Sequence, residues 1–138
     1  MIITTFLLYI FGLIFLIEPT LCTVSVDDSN TILISNGFVT CYSDHLVIHF
    51  YYFPFGDKTI KYKNIRSCEL LSSNDLNFFE TKSWGMAFSN IWWHLDIRRQ
   101  WRSHYIVLNA NQWPKIGVTM NDDDTITVYN IIKKKMII

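Results

Sequence analysis

The side chains best suited to bind or react are concentrated between residues 92 and 104, where Trp92, Trp93, His94 and Asp96 are followed by Arg98, Arg99, Trp101 and Arg102. Guanidinium groups interleaved with indoles can clamp a phosphate or carboxylate, or stack on a base or an acidic partner. The competing reading makes the arginines solvated loop charges, one of them paired with Asp96, and the tryptophans core filling. The second reading is the stronger, because large exposed apolar patches are uncommon on soluble domains and the chain has no net charge. Trp92, Trp93, Arg98, Arg99, Trp101 and Arg102 are therefore candidate partner-binding residues and nothing more specific.

Other reactive residues are sparser. His45 and His49 stand four apart, on one face of a strand or helix, while His94 and His104 are separate. A zinc site wants a third ligand in a recognisable spacing such as H-E-x-x-H, which is missing. The run Asp122-Asp123-Asp124 lacks the alternating ligands and the glycine of a calcium loop, and suits a helix start better. Cys41 and Cys68 are an even pair that an oxidising compartment can bridge, yet two small buried hydrophobes are the simpler account. No nucleophile elbow, Walker loop or dinucleotide fingerprint occurs. The expectation is a non-enzyme with no catalytic residue, no metal and no cofactor.

Those residues must be carried by a single domain of ordinary size, since the chain has 138 residues, half of them hydrophobic and 16% aromatic. Twelve Lys and Arg balance twelve Asp and Glu, which removes the electrostatic footprint of a nucleic-acid binder. The balance conceals a gradient, for no Lys or Arg precedes residue 56. Residues 1–17 carry no charged side chain, and the run ends at Glu18-Pro19. Spanning roughly 25 Å as a helix, it is slightly short of a ~30 Å hydrocarbon layer. Residues 1–22 read as a signal peptide cut near Cys22, or as an uncleaved membrane anchor with the acids Glu18, Asp27 and Asp28 on the translocated side. Residues 23–30 read as a linker and 31–138 as the domain.

Within the domain, short extended runs alternate with turn residues. Asn36-Gly37 lies between Thr31–Ser35 and Phe38–Tyr42, the sequence of a hairpin closed by a type I′ turn. Ser43-Asp44 leads into His45–Phe53, where Leu46, Ile48 and Phe50 alternate with Val47, His49 and Tyr51. Pro54 and Gly56-Asp57 break that run before Thr59–Tyr62 resumes it, and Ile65–Leu71 follows. Residues 77–82 read as loop or short strand. Trp84–Phe88 and Ile91–Asp96 form an aromatic-rich stretch, and further strands are expected at Tyr105–Leu108 and Ile116–Thr119. The last element, opened by Asp122–Asp124 and closed by Lys133–Lys135, reads as a helix burying Thr125, Val128, Tyr129 and Ile132.

Many short strands followed by one amphipathic helix resembles the layout of a pleckstrin-homology-like domain. The phrases Tyr51–Ile60, Trp92-Trp93 with Leu95-Asp96 and Arg98-Arg99, and Ile106–Leu108 leading to Trp113–Thr119 resemble small proteins of the bacterial-type pleckstrin-homology-like group. The resemblance covers roughly residues 31–135. It implies a mainly β fold, a bent antiparallel sheet or partly open barrel plugged by the C-terminal helix and preceded here by an N-terminal hydrophobic helix. The fold hosts lipid binders, peptide binders and purely structural modules. Lipid-binding members place several basic residues in the loop after their first strand; here Pro54–Lys58 offers one Lys beside one Asp. The functional expectation is a non-catalytic interaction module for a peptide or protein, secreted or membrane-anchored. A lipid-headgroup binder and a small enzyme with a concealed Cys or His are the alternatives.

Overall fold

The computed structural model describes residues 28–75, 82–86 and 88–136. The expected signal or anchor segment lies outside them, as does most of the linker. No helix among the described residues is long and apolar enough to cross a membrane.

The fold is mainly β: two sheets and one C-terminal helix. The first sheet is an antiparallel meander of β1 (Ile32–Ser35), β2 (Val39–Tyr42), β3 (His45–Tyr52) and β4 (Gly56–Lys61). Its alternation is the one read in the sequence as far as Ile48, with Val39, Cys41, Leu46, Ile48 and Ile60 turned into the core, but beyond Ile48 it reverses, leaving Phe50 exposed and Tyr51 buried. The β1–β2 hairpin forms, but its turn is not type I′, since neither Asn36 nor Gly37 has positive φ. Instead the Asn36 Oδ1 accepts the amides of Phe38 at 2.9 Å and Val39 at 2.8 Å, so the asparagine side chain closes the turn.

Register between β3 and β4 shifts between Ile48 and Tyr52, where Phe50 adopts φ 54°. This irregularity has a use. It leaves the Phe50 carbonyl to accept the Leu95 amide at 3.0 Å, and the Tyr51 carbonyl to accept the indole N–H groups of Trp84 at 3.1 Å and Trp92 at 3.3 Å. The two sheets are thereby joined by polar bonds at the bulge.

The second sheet comprises β5 (Ser67–Ser72), β6 (Gly85–Met86), β7 (Ile91–Trp93), β8 (His104–Asn109) and β9 (Lys115–Val118), in spatial order β5-β8-β9-β7-β6. β9 inserts between β8 and β7 and runs parallel to β7, a departure from the all-antiparallel expectation. A parallel neighbour requires a long crossover, and residues 94–114 supply it through a short 3₁₀ turn, Arg99–Trp101, and the strand β8. Trp93 pairs with Gly117 in this register, and a Cβ on Gly117 would lie 2.4 Å from the indole ring.

Helix α1 (Asp122–Met136) buries Thr125, Val128 and Ile132 against β5, β8 and the turn Tyr62–Asn64, with Tyr129 half-buried. Three of its β-branched residues, Thr125, Val128 and Ile132, form the packed stripe, whereas Ile126 and Thr127 face outward. Asp122 does not cap its own helix: its Oδ1 accepts the amides of Ser103 and His104, both at 3.1 Å, and ties the helix start to β8.

Candidate functional site

The crossover after β7 assembles a polar network around Asp96, which is buried. Its Oδ2 accepts from Arg102 Nε at 3.1 Å and from Thr119 Oγ1 at 2.8 Å, and its Oδ1 accepts the Arg98 amide at 2.9 Å. Burial pushes this carboxyl up, but the bonds from Arg102, Thr119 and the Arg98 amide outweigh it and hold the group below the usual carboxylate range. Arg102 also donates to Asn121 Oδ1 at 2.7 Å, and its guanidinium stands 5.6 Å from the Phe38 ring centroid. His94 lies behind this pair, fully buried. Burial, reinforced by Arg99 and opposed by Asp96, pushes its pKa down to about 3, so the ring is neutral. Its Nε2 accepts the Thr119 amide at 3.0 Å.

In front of the network is a groove of about 430 Å³ lined by Phe38, Phe50, Leu95, Ile97, Arg98 and Arg102, together with the buried Asp96 and the exposed Asn121. Its walls are apolar, and its charged groups are two arginines against one carboxylate. Because Arg102 is committed to Asp96, the exposed Arg98 supplies the positive charge at the rim that no ion pair among the described residues offsets.

The six residues singled out from the sequence do not form one surface. Trp93 is fully buried beside Tyr105, ring centroids 5.6 Å apart. Arg99 is buried over that indole at 4.6 Å and donates to the carbonyls of Lys82 and His94. Burial pushes its pKa down to about 10, which leaves it charged at neutral pH. Both residues are structural. Trp92 is half-buried on the opposite face of its strand, within a cluster of Trp84 and Tyr51. Trp101 is exposed and does not line the groove. Of the six, only Arg98 and Arg102 line the groove. Comparison with protein-family models, curated proteins and solved structures returned no match.

Two further constellations were not apparent in the sequence. A row of polar side chains crosses the outer face of the first sheet: Ser35 Oγ to Thr40 Oγ1 at 2.9 Å, Thr40 Oγ1 to His49 Nε2 at 3.0 Å, and His49 Nδ1 to Asp57 Oδ2 at 2.9 Å. The last three have the atom order of a hydroxyl–His–Asp triad, but the Thr40 hydroxyl belongs to a buried residue and none of the four lines either groove. As a cross-strand ladder on four successive strands, the row is accounted for by sheet pairing. The other constellation is a concavity of about 300 Å³ near the end of α1, lined by Ser43, Asp44, Lys61, Tyr62, Lys63 and Lys135. Among the described residues no group of three His, Cys, Asp or Glu is placed to hold a metal ion, and Cys41 and Cys68 are both free and buried.

Proposed function

We propose that the chain is a non-catalytic interaction module of pleckstrin-homology-like type, and that it takes its partner in the groove over Asp96 and Arg102. The observation that carries this reading is the pairing of an apolar wall, Phe38, Phe50, Leu95 and Ile97, with a cationic rim at Arg98. A groove of this composition suits a peptide segment that sets an acidic side chain beside an aliphatic or aromatic one: the acid meets Arg98, and the apolar side chain fills the space between the two phenylalanines. The fixed Arg102–Asp96 pair keeps the floor from collapsing. The family reading is supported by the antiparallel meander and by a terminal helix packed on the second sheet, while the parallel β7–β9 pair departs from the family layout.

The test is fluorescence anisotropy with a panel of fluorescein-labelled hexapeptides carrying Asp or Glu next to Leu or Phe. Micromolar binding is expected, weakened roughly tenfold or more by Arg98→Ala, the loss of one charge-assisted bond, and by Ile97→Asp. Trp101→Ala should leave it unchanged. Binding indifferent to both groove substitutions removes the groove from consideration.

A further inference from the structure

At the other end of the second sheet, large aromatic side chains stand out of three loops. Phe53 is 66% exposed, Phe55 80%, Phe88 88% and Trp113 71%, whereas residues of this kind are ordinarily the core of a domain this size. The loops converge. β7 and β9 run side by side in the same direction, so the segments entering them, 88–90 and 111–114, lie at one end, and the Lys115 amide donates to the Asn90 carbonyl at 2.9 Å. The Phe53–Phe55 loop joins the same end: Phe53 packs against Trp84 with ring centroids 5.3 Å apart, and the Tyr51 hydroxyl bonds Gln112, next to Trp113. The platform is stiff because the indoles of Trp84 and Trp92 are both bound to the Tyr51 carbonyl.

We infer that this aromatic rim docks the domain on the interface of an anionic phospholipid bilayer, with Phe53, Phe55, Phe88 and Trp113 entering the headgroup layer. Two observations favour lipid over another protein. The rim is flanked by cations: Lys58 Nζ stands 5.0 Å from the Tyr51 ring centroid, and Lys115 is exposed at the foot of β9. The neighbouring acid, Asp57, is turned to His49 and the Phe50 amide and keeps its charge, but the two lysines outnumber it. The rim therefore presents apolar tips with positive charge behind them, the pattern that suits anionic headgroups above acyl chains. Chain length is compatible as well. The uncharged run of residues 1–17 is separated from Asp28 by residues 18–27, which extended reach about 35 Å, so both can engage one bilayer. The inference does not depend on the peptide groove, which is built from other residues.

The experiment uses the full chain reconstituted with vesicles, so that depth of the loops rather than overall attachment is read. In a Cys22→Ser background, an environment-sensitive fluorophore is attached at Phe55→Cys, Phe88→Cys or Trp113→Cys, and at Ile126→Cys on the exposed face of α1 as a control. With vesicles containing phosphatidylglycerol and brominated phosphatidylcholine, the rim labels should shift to the blue and lose intensity to the bromines, and the helix label should do neither. Omitting the anionic lipid or substituting Lys58→Gln with Lys115→Gln should diminish both signals. Labels unquenched in every vesicle overturn the inference. So does a blue shift that is present without lipid, because the rim would then be covered by residues 1–17 or by a second copy of the chain.

Discussion

The Arg99 guanidinium stands 4.6 Å from the centroid of the Trp93 ring, and both residues are buried. The cation closes one side of the indole while its N–H groups hold the carbonyls of Lys82 and His94. The crossover that leads out of β7 is thus anchored to the strand it leaves. The neighbouring arginines are free of this duty, which is why a single basic cluster in sequence divides into a structural residue and a groove.

Replacement of Arg99 by Ala removes two bonds from a charged donor and the face of an aromatic packing partner. A loss of about 3 kcal/mol is expected. Urea unfolding should show a lower midpoint with an unchanged slope. Trp101→Ala, one turn away and exposed, should stay within about 0.5 kcal/mol of the parent.

Stability should fall as pH drops below about 6.5, the ordinary histidine range. His94 titrates in the unfolded chain there, but burial lowers its folded pKa to about 3, so between these values the unfolded state binds the extra proton. The contribution is complete above pH 6.5 and gone near pH 3, a change on the order of 4 kcal/mol. Asp96, also depressed, adds a second loss at lower pH, below the unfolded carboxyl value of about 4. Unfolding free energies measured from pH 7 to pH 4 should show this slope. In His94→Gln, whose amide oxygen can accept the Thr119 amide, the slope should flatten; an unaltered slope assigns the acid sensitivity elsewhere.

Much of this architecture was legible in the chain, and the parts that were not have a common cause. The β1–β2 and β3–β4 hairpins and helix α1 rest on local patterns: alternation of Leu46 and Ile48, the break at Pro54, and acids and lysines at the two helix ends. The groove, by contrast, draws Phe38 and Phe50 from the first sheet and Asn121 from the start of α1. No spacing along the chain announces such a meeting. Trp92 and Trp93 look equivalent as neighbours, yet on a strand adjacent side chains point to opposite faces, and only the non-local β7–β9 pairing decides which is buried. The Asn36-Gly37 signal identified the hairpin but not its turn type, because the Asn36 side chain supplied an alternative closure.

Cys41 and Cys68 should resist alkylation in the folded protein. Burial pushes their thiols up to about 11 and about 12, so little thiolate exists at pH 8 and access is closed. Mass spectrometry after iodoacetamide treatment without reductant should find neither modified in buffer and both modified in concentrated urea. A pair that stays unmodified in urea until reductant is added would mean a disulfide instead.

Gly117 is the position where a single methyl group should do most damage. A Cβ there would lie 2.4 Å from Trp93 Cε3, 2.5 Å from Cζ3 and 2.6 Å from Ile91 Cγ2. None of these atoms can retreat easily: the indole is held between Tyr105 and Arg99, and Ile91 lies on the same strand, whose pairing with β9 fixes the separation. Gly117→Ala should therefore cost about 3 kcal/mol, toward the upper end for overpacking in a rigid site. If the ring is what the methyl group meets, a smaller side chain at residue 93 should relieve the clash. The double variant Gly117→Ala with Trp93→Leu should then be more stable than the sum of the two single losses implies, by roughly 1 kcal/mol or more. Additive losses in that cycle would place the strain in the backbone of β9 and not against the indole.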